Sequence, residues 1–176
     1  MAPKAAENAS ASFHAHSSRP ADKGTLASFP DKTGILWDAP VVTSTGLLPV
    51  QSLMPGTAVV TRDAGVALVC RVRQVSCVCR GIYVLAGSLS HNKSDRDTLL
   101  PAEQPVFVRD WRARALKHSN SAFFPAAALV DGEFVRDIGL QPMTLFQITL
   151  DRPGVIYSDG MELGCATPYE LWTTPE

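Results

Sequence analysis

The apolar residues of this chain come in short, β-branched runs that end at glycine, proline or aspartate. Val41-Val42-Thr43-Ser44-Thr45 stops at Gly46, and a second run over 57–62 is entered through Pro55-Gly56 and left through 63–65. Residues 66–80 form the longest such stretch, and its phase changes midway. Leu68, Cys70 and Val72 share one face by period-two counting, whereas Val75, Cys77 and Cys79 fall in the opposite phase. A bulge or bend near Arg73-Gln74 would turn both sets inward. Residues 82–85 continue the pattern, and 87–97 are polar and read as a loop. The stretches 105–109, 134–138, 143–150 and 155–158 read as further strands, with turns at Asp131-Gly132, Arg152-Pro153-Gly154 and Asp159-Gly160. Pro125-Ala126-Ala127-Ala128-Leu129 suits one helical turn with proline at its start. The expected body is all-β, with no room for long helices.

Composition narrows the picture. Thirteen prolines and 12 glycines in 176 residues interrupt the chain too often for a helical bundle. Sixteen Lys and Arg against 17 Asp and Glu give a formal net charge of −1. That balance leaves no basic stripe, so no nucleic-acid partner is expected. No run of about 18 apolar residues exists, so no membrane partner is expected either. A protein partner stays open. Residues 1–33 are rich in Ala, Ser, Lys, His and Asn and poor in large apolar side chains. Such a segment buries too little to offset its ordering entropy, so a disordered tail over 1–33 is expected ahead of a domain over 34–176. The N-terminal stretch has no continuous apolar core of a signal peptide, so the expected location is cytoplasmic. The four cysteines are then expected to be reduced thiols.

Few side chains invite chemistry. Cys77 and Cys79 point the same way in a strand. Adding Cys70, Cys165 or His91 would make a metal set, but zinc sites normally have two to four residues between paired cysteines, on a knuckle rather than mid-strand. The pair reads instead as small apolar core residues, with no metal and no cofactor expected. Cys165 follows Gly164 with no His or acid at a telling spacing. His14 and His16 lie in the tail, His91 in the polar loop, and His118 after the basic run Arg112, Arg114, Lys117. His91 and His118 are the weak candidates for a general acid or base, although lone loop histidines are usually solvated. The basic run over 109–117 would suit an anion, but such runs are more often a solvated face. No phosphate loop and no G-x-S-x-G or H-E-x-x-H motif is present.

The order of the framework residues carries more. Val41-Val42-Thr43 then Gly46, Pro49-Val50-Gln51-Ser52-Leu53, Pro55-Gly56-Thr57 and Val59-Val60-Thr61-Arg62-Asp63 follow one another, and 97–109 holds Asp97-Thr98-Leu99-Leu100-Pro101 before Val106. Phe124-Pro125-Ala126 with Leu129-Val130-Asp131-Gly132, then Leu150-Asp151-Arg152 and Val155 to Glu162, complete the series. This succession resembles bacterial Hint (hedgehog/intein) domains over roughly 34–165. The resemblance implies a compact, mostly antiparallel β domain with pseudo-twofold halves. It also implies autoprocessing chemistry: a Cys or Ser at the first position attacks the preceding carbonyl, and a motif His protonates the departing amine.

Three positions depart from that chemistry. Counting back from Thr43, the nucleophile position falls on Gly34, which carries no side chain. The motif His position falls on Gln104, and the late family His on Pro153. The expectation is a degenerate, non-catalytic Hint domain acting as a binding or scaffold module. The alternative is self-cleavage through an N-to-S/O acyl shift with a non-standard nucleophile, Thr33 or Ser44, and an unrecognised base such as His91 or His118.

Overall fold

The structure is a computed structural model that describes residues 32–89 and 96–165. The expected tail therefore lies outside the described residues except for Lys32 and Thr33, and His91 lies outside them too. The strands are β1 Ile35–Leu36, β2 Pro40–Thr43, β3 Gly46–Pro49, β4 Ala58–Thr61, β5 Gly65–Val84, β6 Thr98–Pro101, β7 Pro105–Val108, β8 Ala122–Pro125, β9 Val135–Leu150, β10 Val155–Ser158 and β11 Met161–Gly164. Every strand pairing among the described residues is antiparallel.

Two long strands form the spine. β5 and β9 pair from Val69 opposite Leu150 to Val84 opposite Val135. β1 adds to β9 and β6 to the far end of β5, while the near end of β5 continues through β4, β2, β10, β11, β7 and β8. The short strands alternate as period-two side chains require: Val41 and Thr43 are buried in β2, Val59 and Thr61 in β4, and Val106 and Val108 in β7. Val41, Val59, Val106, Ile156 and Leu163 belong to one main core with Ile82, Val84 and Val135. Cys79, Met143 and Leu145 form a second, smaller cluster. The turns follow the sequence cues: the Asp131 carboxylate accepts from the N–H groups of Glu133, Phe134 and Val135, and Gly132 has φ +84°.

The phase of β5 differs from the pattern-based expectation. Its inward residues at the near end are Ala67 and Val69, while Leu68 and Cys70 are exposed. The register shifts at Cys70 and again beside Gly81, not at Arg73-Gln74. A bulge adds one residue to one strand and so inverts its phase. Placed at Cys70, it turns Val72 toward the main core that Ala67 and Val69 enter, and puts Cys77 and Cys79 on the opposite face, in the smaller cluster.

Residues 111–117 also differ, because part of the basic run is helical. The helix α1, Trp111–Lys117, is capped by Asp110, whose carboxylate accepts from the Arg112 N–H at 2.8 Å. It ends at His118 in the left-handed region, φ 53°. Ala126–Leu129 forms the expected single turn, as a 3-10 helix. Among the described residues no helix is long and apolar enough to cross a membrane.

Candidate functional site

β1 is two residues long, so its two backbone pairings, Ile35 with Phe146 and Leu36 with Leu145, do little to fix the chain in front of it. Two glutamine side chains complete the job. The Gly34 N–H donates to Gln104 Oε1 at 2.9 Å. The Gln147 side-chain amide donates to the Thr33 carbonyl at 3.0 Å. The peptide bond between Thr33 and Gly34 is thus held at its nitrogen by one glutamine and at its oxygen by the other. Both side chains are 1% exposed, and Thr33 is 3% exposed.

Each glutamine is oriented by its surroundings. Gln104 sits in the turn between β6 and β7, with its own N–H on the Pro101 carbonyl at 2.9 Å and its carbonyl accepting from Ala126. Its Nε2 donates to the Gly164 carbonyl at 3.1 Å and the Pro105 carbonyl at 3.2 Å. A donor on Gly34 and two carbonyl acceptors on the other side admit only one orientation of the amide. Gln104 therefore ties Gly34, just ahead of β1, to the last residue of β11. Gln147 lies in β9, and Arg73 Nη1 on β5 approaches its Oε1 at 3.5 Å. Leaving such buried partners unpaired costs about 1–3 kcal/mol for each group.

The arrangement binds this peptide bond, and its chemistry is one-sided. A donor on the Thr33 carbonyl is what an oxyanion would need. The atom facing the Gly34 nitrogen is an amide oxygen, which accepts and does not titrate near neutral pH. Gly34 itself has φ +144°, and a Cβ built there would lie 3.0 Å from the Phe146 carbonyl oxygen and 3.1 Å from Leu145 Cβ. Glycine is the residue that this close approach to β9 admits.

The structure brings Thr33, Gly34 and Gln104 together, three of the positions singled out in the sequence. It adds Gln147, which sequence reasoning missed. The remaining candidates lie apart. Pro153 is exposed in the turn between β9 and β10, Ser44 is exposed between β2 and β3, and His118 is exposed at the end of α1. All four cysteines are free thiols. Cys165 is buried, and its burial and the charge of Asp63 push its thiol well above the ordinary range. Burial and hydrogen bonding to Cys77 raise the Cys79 thiol to about 11. The basic groups of 109–117 have partners within the domain: Arg109 with Glu162, Arg112 with Asp110, Arg114 with Asn120, and Lys117 with the Phe123 carbonyl. Among the described residues no three His, Cys, Asp or Glu side chains are placed to hold a metal ion.

A family model described as Hint domain matches residues 34–169. The solution structure of a bacterial intein-like domain from Clostridium thermocellum is similar at a TM-score of 0.51 and 12% identity, covering 76% of this chain and 98% of that one. The gp41-1 intein gives 0.47 at 8% identity, over 74% of this chain and 97% of that one. The MchDnaB-1 intein gives 0.47 at 10% identity, over 73% and 98%. At 12% identity the likeness to the intein-like domain is one of fold. No curated protein matches the chain.

Proposed function

The chain belongs to the Hint domain family, and from that premise we propose that it is a non-cleaving Hint module, one that clasps the bond such a domain would cut and acts as a binding or scaffold domain. The pair of side-chain hydrogen bonds on Thr33–Gly34 carries this reading. Autoprocessing needs three things at the bond: a nucleophile on the following residue, an acid on the nitrogen, and donors on the carbonyl oxygen. Gln147 supplies a donor. At the nitrogen, Gln104 presents an acceptor where an acid must donate. A general acid is worth about 10²–10⁴-fold, and without a nucleophile the covalent route is closed altogether. The buried Cys165 thiol stays protonated near neutral pH and offers no thiolate in its place.

The same contacts supply a scaffold role. Because Gln104 bonds both the Gly34 nitrogen and the Gly164 carbonyl, the residue ahead of β1 and the end of β11 meet at one side chain.

The test is incubation of the full chain at neutral pH with dithiothreitol or hydroxylamine, followed by intact mass. A single uncut species is expected, and Gly34→Cys alone is expected to stay uncut because the nitrogen still faces Gln104. A fragment beginning at residue 34, or a hydroxamate on Thr33, from the unmodified chain overturns the proposal in favour of autoprocessing.

A further inference from the structure

One face of the β5–β9 ladder carries three sulfur atoms that the Thr33–Gly34 site does not use. Cys77 stands directly opposite Met143, and Cys79 stands opposite Gln141. Side chains two apart on a strand share a face, and directly opposed residues have Cβ atoms about 4.5–5.5 Å apart. The three sulfurs therefore converge. Cys79 Sγ lies 3.4 Å from Met143 Sδ, and Cys77 is close enough to hydrogen-bond Cys79. Cys79 and Met143 are buried, whereas Cys77 is only partly covered, so the cluster has an open side. Leu36, Leu99 and Leu145 surround it. A Cβ at Gly81 would come within 2.9 Å of the Met143 terminal methyl. The absence of a side chain there leaves that methyl its place.

We propose that Cys77, Cys79 and Met143 form a binding site for one Cu(I) ion, held by two thiolates and one thioether. Soft thiolate and thioether ligands select Cu(I). Sulfurs about 2.3 Å from a shared ion, the usual metal–thiolate length, lie about 4 Å apart in a trigonal set. The 3.4 Å contact needs only a small opening to reach that spacing. Zinc requires four donors, and among the described residues no His, Asp, Glu or third Cys joins the pair. Loading forms three copper–sulfur bonds and breaks two S–H bonds. Two protons leave to solvent, copper stays Cu(I), and the site carries one net negative charge. The Lys32 ammonium favours the charged form of Cys79, while Glu103 opposes it.

The experiment titrates the full, reduced chain anaerobically with Cu(I) delivered as its bicinchoninate complex. The expected results are one copper withdrawn per chain, a thiolate-to-copper absorption band, two protons released per copper, and X-ray absorption showing three sulfur neighbours. On the unmodified protein, copper should protect Cys77 from iodoacetamide while exposed Cys70 stays reactive, a readout that needs no variant to fold. Cys77→Ser should lose copper retention, and Cys70→Ser should keep it. Met143→Leu should bind about tenfold or more weakly, the scale on which supporting groups act at metal sites. Failure of the unmodified chain to withdraw copper, retention that survives Cys77→Ser, or loss on Cys70→Ser would overturn the site. Stoichiometric zinc held in preference to Cu(I) would overturn the choice of ion.

Discussion

The clasp on Thr33–Gly34 and the sulfur face of β5 and β9 are both buried patches of non-hydrocarbon chemistry, and both draw on the same two long strands. They differ in how far their valences are filled. In the clasp, Gln104 uses its side-chain oxygen on Gly34 and its nitrogen on Gly164 and Pro105. Nothing is left over for a reaction. In the sulfur face Cys79 meets Met143 and Cys77 among leucines, and thiols and thioethers are weak hydrogen-bonding partners. A saturated polar site fixes a backbone, whereas an unsaturated soft site is free to take a ligand. Burial alone does not separate the two cases, since Gln104 and Cys79 are 1% and 2% exposed.

If saturation is what makes the clasp structural, breaking it should cost the most. Gln104→Leu strands the Gly34 N–H and two carbonyl oxygens in the interior and should lower stability by about 3–4 kcal/mol, read as a shifted urea midpoint. Gly34→Ala forces a side chain into positive φ against the Phe146 carbonyl and should cost about 2–3 kcal/mol by the same assay. Gln147→Leu takes the donor from the Thr33 oxygen and removes the long Arg73 contact, so its expected cost is smaller, about 1–2 kcal/mol. Met143→Leu keeps the packing volume and should change stability by about 1 kcal/mol or less, although it removes a copper ligand. A Gln104→Leu effect no larger than that of Met143→Leu would erase the distinction.

The smallest expected effect is a pH dependence on the sulfur side. Burial, with the neighbouring Cys77, pushes the Cys79 thiol up from its ordinary 9.0 to about 11 in the fold. Between those values the unfolded chain has lost a proton that the folded chain keeps. Its contribution is therefore fully present below pH 9 and is lost as pH rises toward 11. Cys165, also raised, acts in the same sense. Cys79→Ala should make the alkaline decline of the urea midpoint shallower without abolishing it.

Much of this was legible in the sequence, for identifiable reasons. Short β-branched runs between Gly, Pro and Asp place β2, β4, β7 and β10, because one buried face forces alternation. The order of the framework residues led to Gly34 and Gln104, which the fold brings into contact. The bulge at Cys70 was not legible, since a one-residue insertion in a ladder depends on the partner strand. The helix α1 was hidden by its charges, although Asp110 as a cap ahead of Trp111-Arg112-Ala113-Arg114-Ala115-Leu116 was a readable signal. Gln147 left a trace as well: one amide inside Leu145-Phe146-Gln147-Ile148, where residues on both faces of β9 are buried. A polar side chain in such a run needs an internal partner. Which backbone carbonyl it meets, 114 residues away, only the fold decides.

The clasp can be examined most directly at the Gly34 amide, by hydrogen exchange resolved at that residue in the full chain. Held by the buried Gln104 oxygen, this amide should exchange only through global unfolding, at the rate of the core amides of β9, and Gln104→Leu should release it to fast local exchange. Exchange in the unmodified protein as fast as that of an exposed turn, or a rate indifferent to Gln104→Leu under conditions where both proteins are folded, would contradict a bond held closed by its two glutamines.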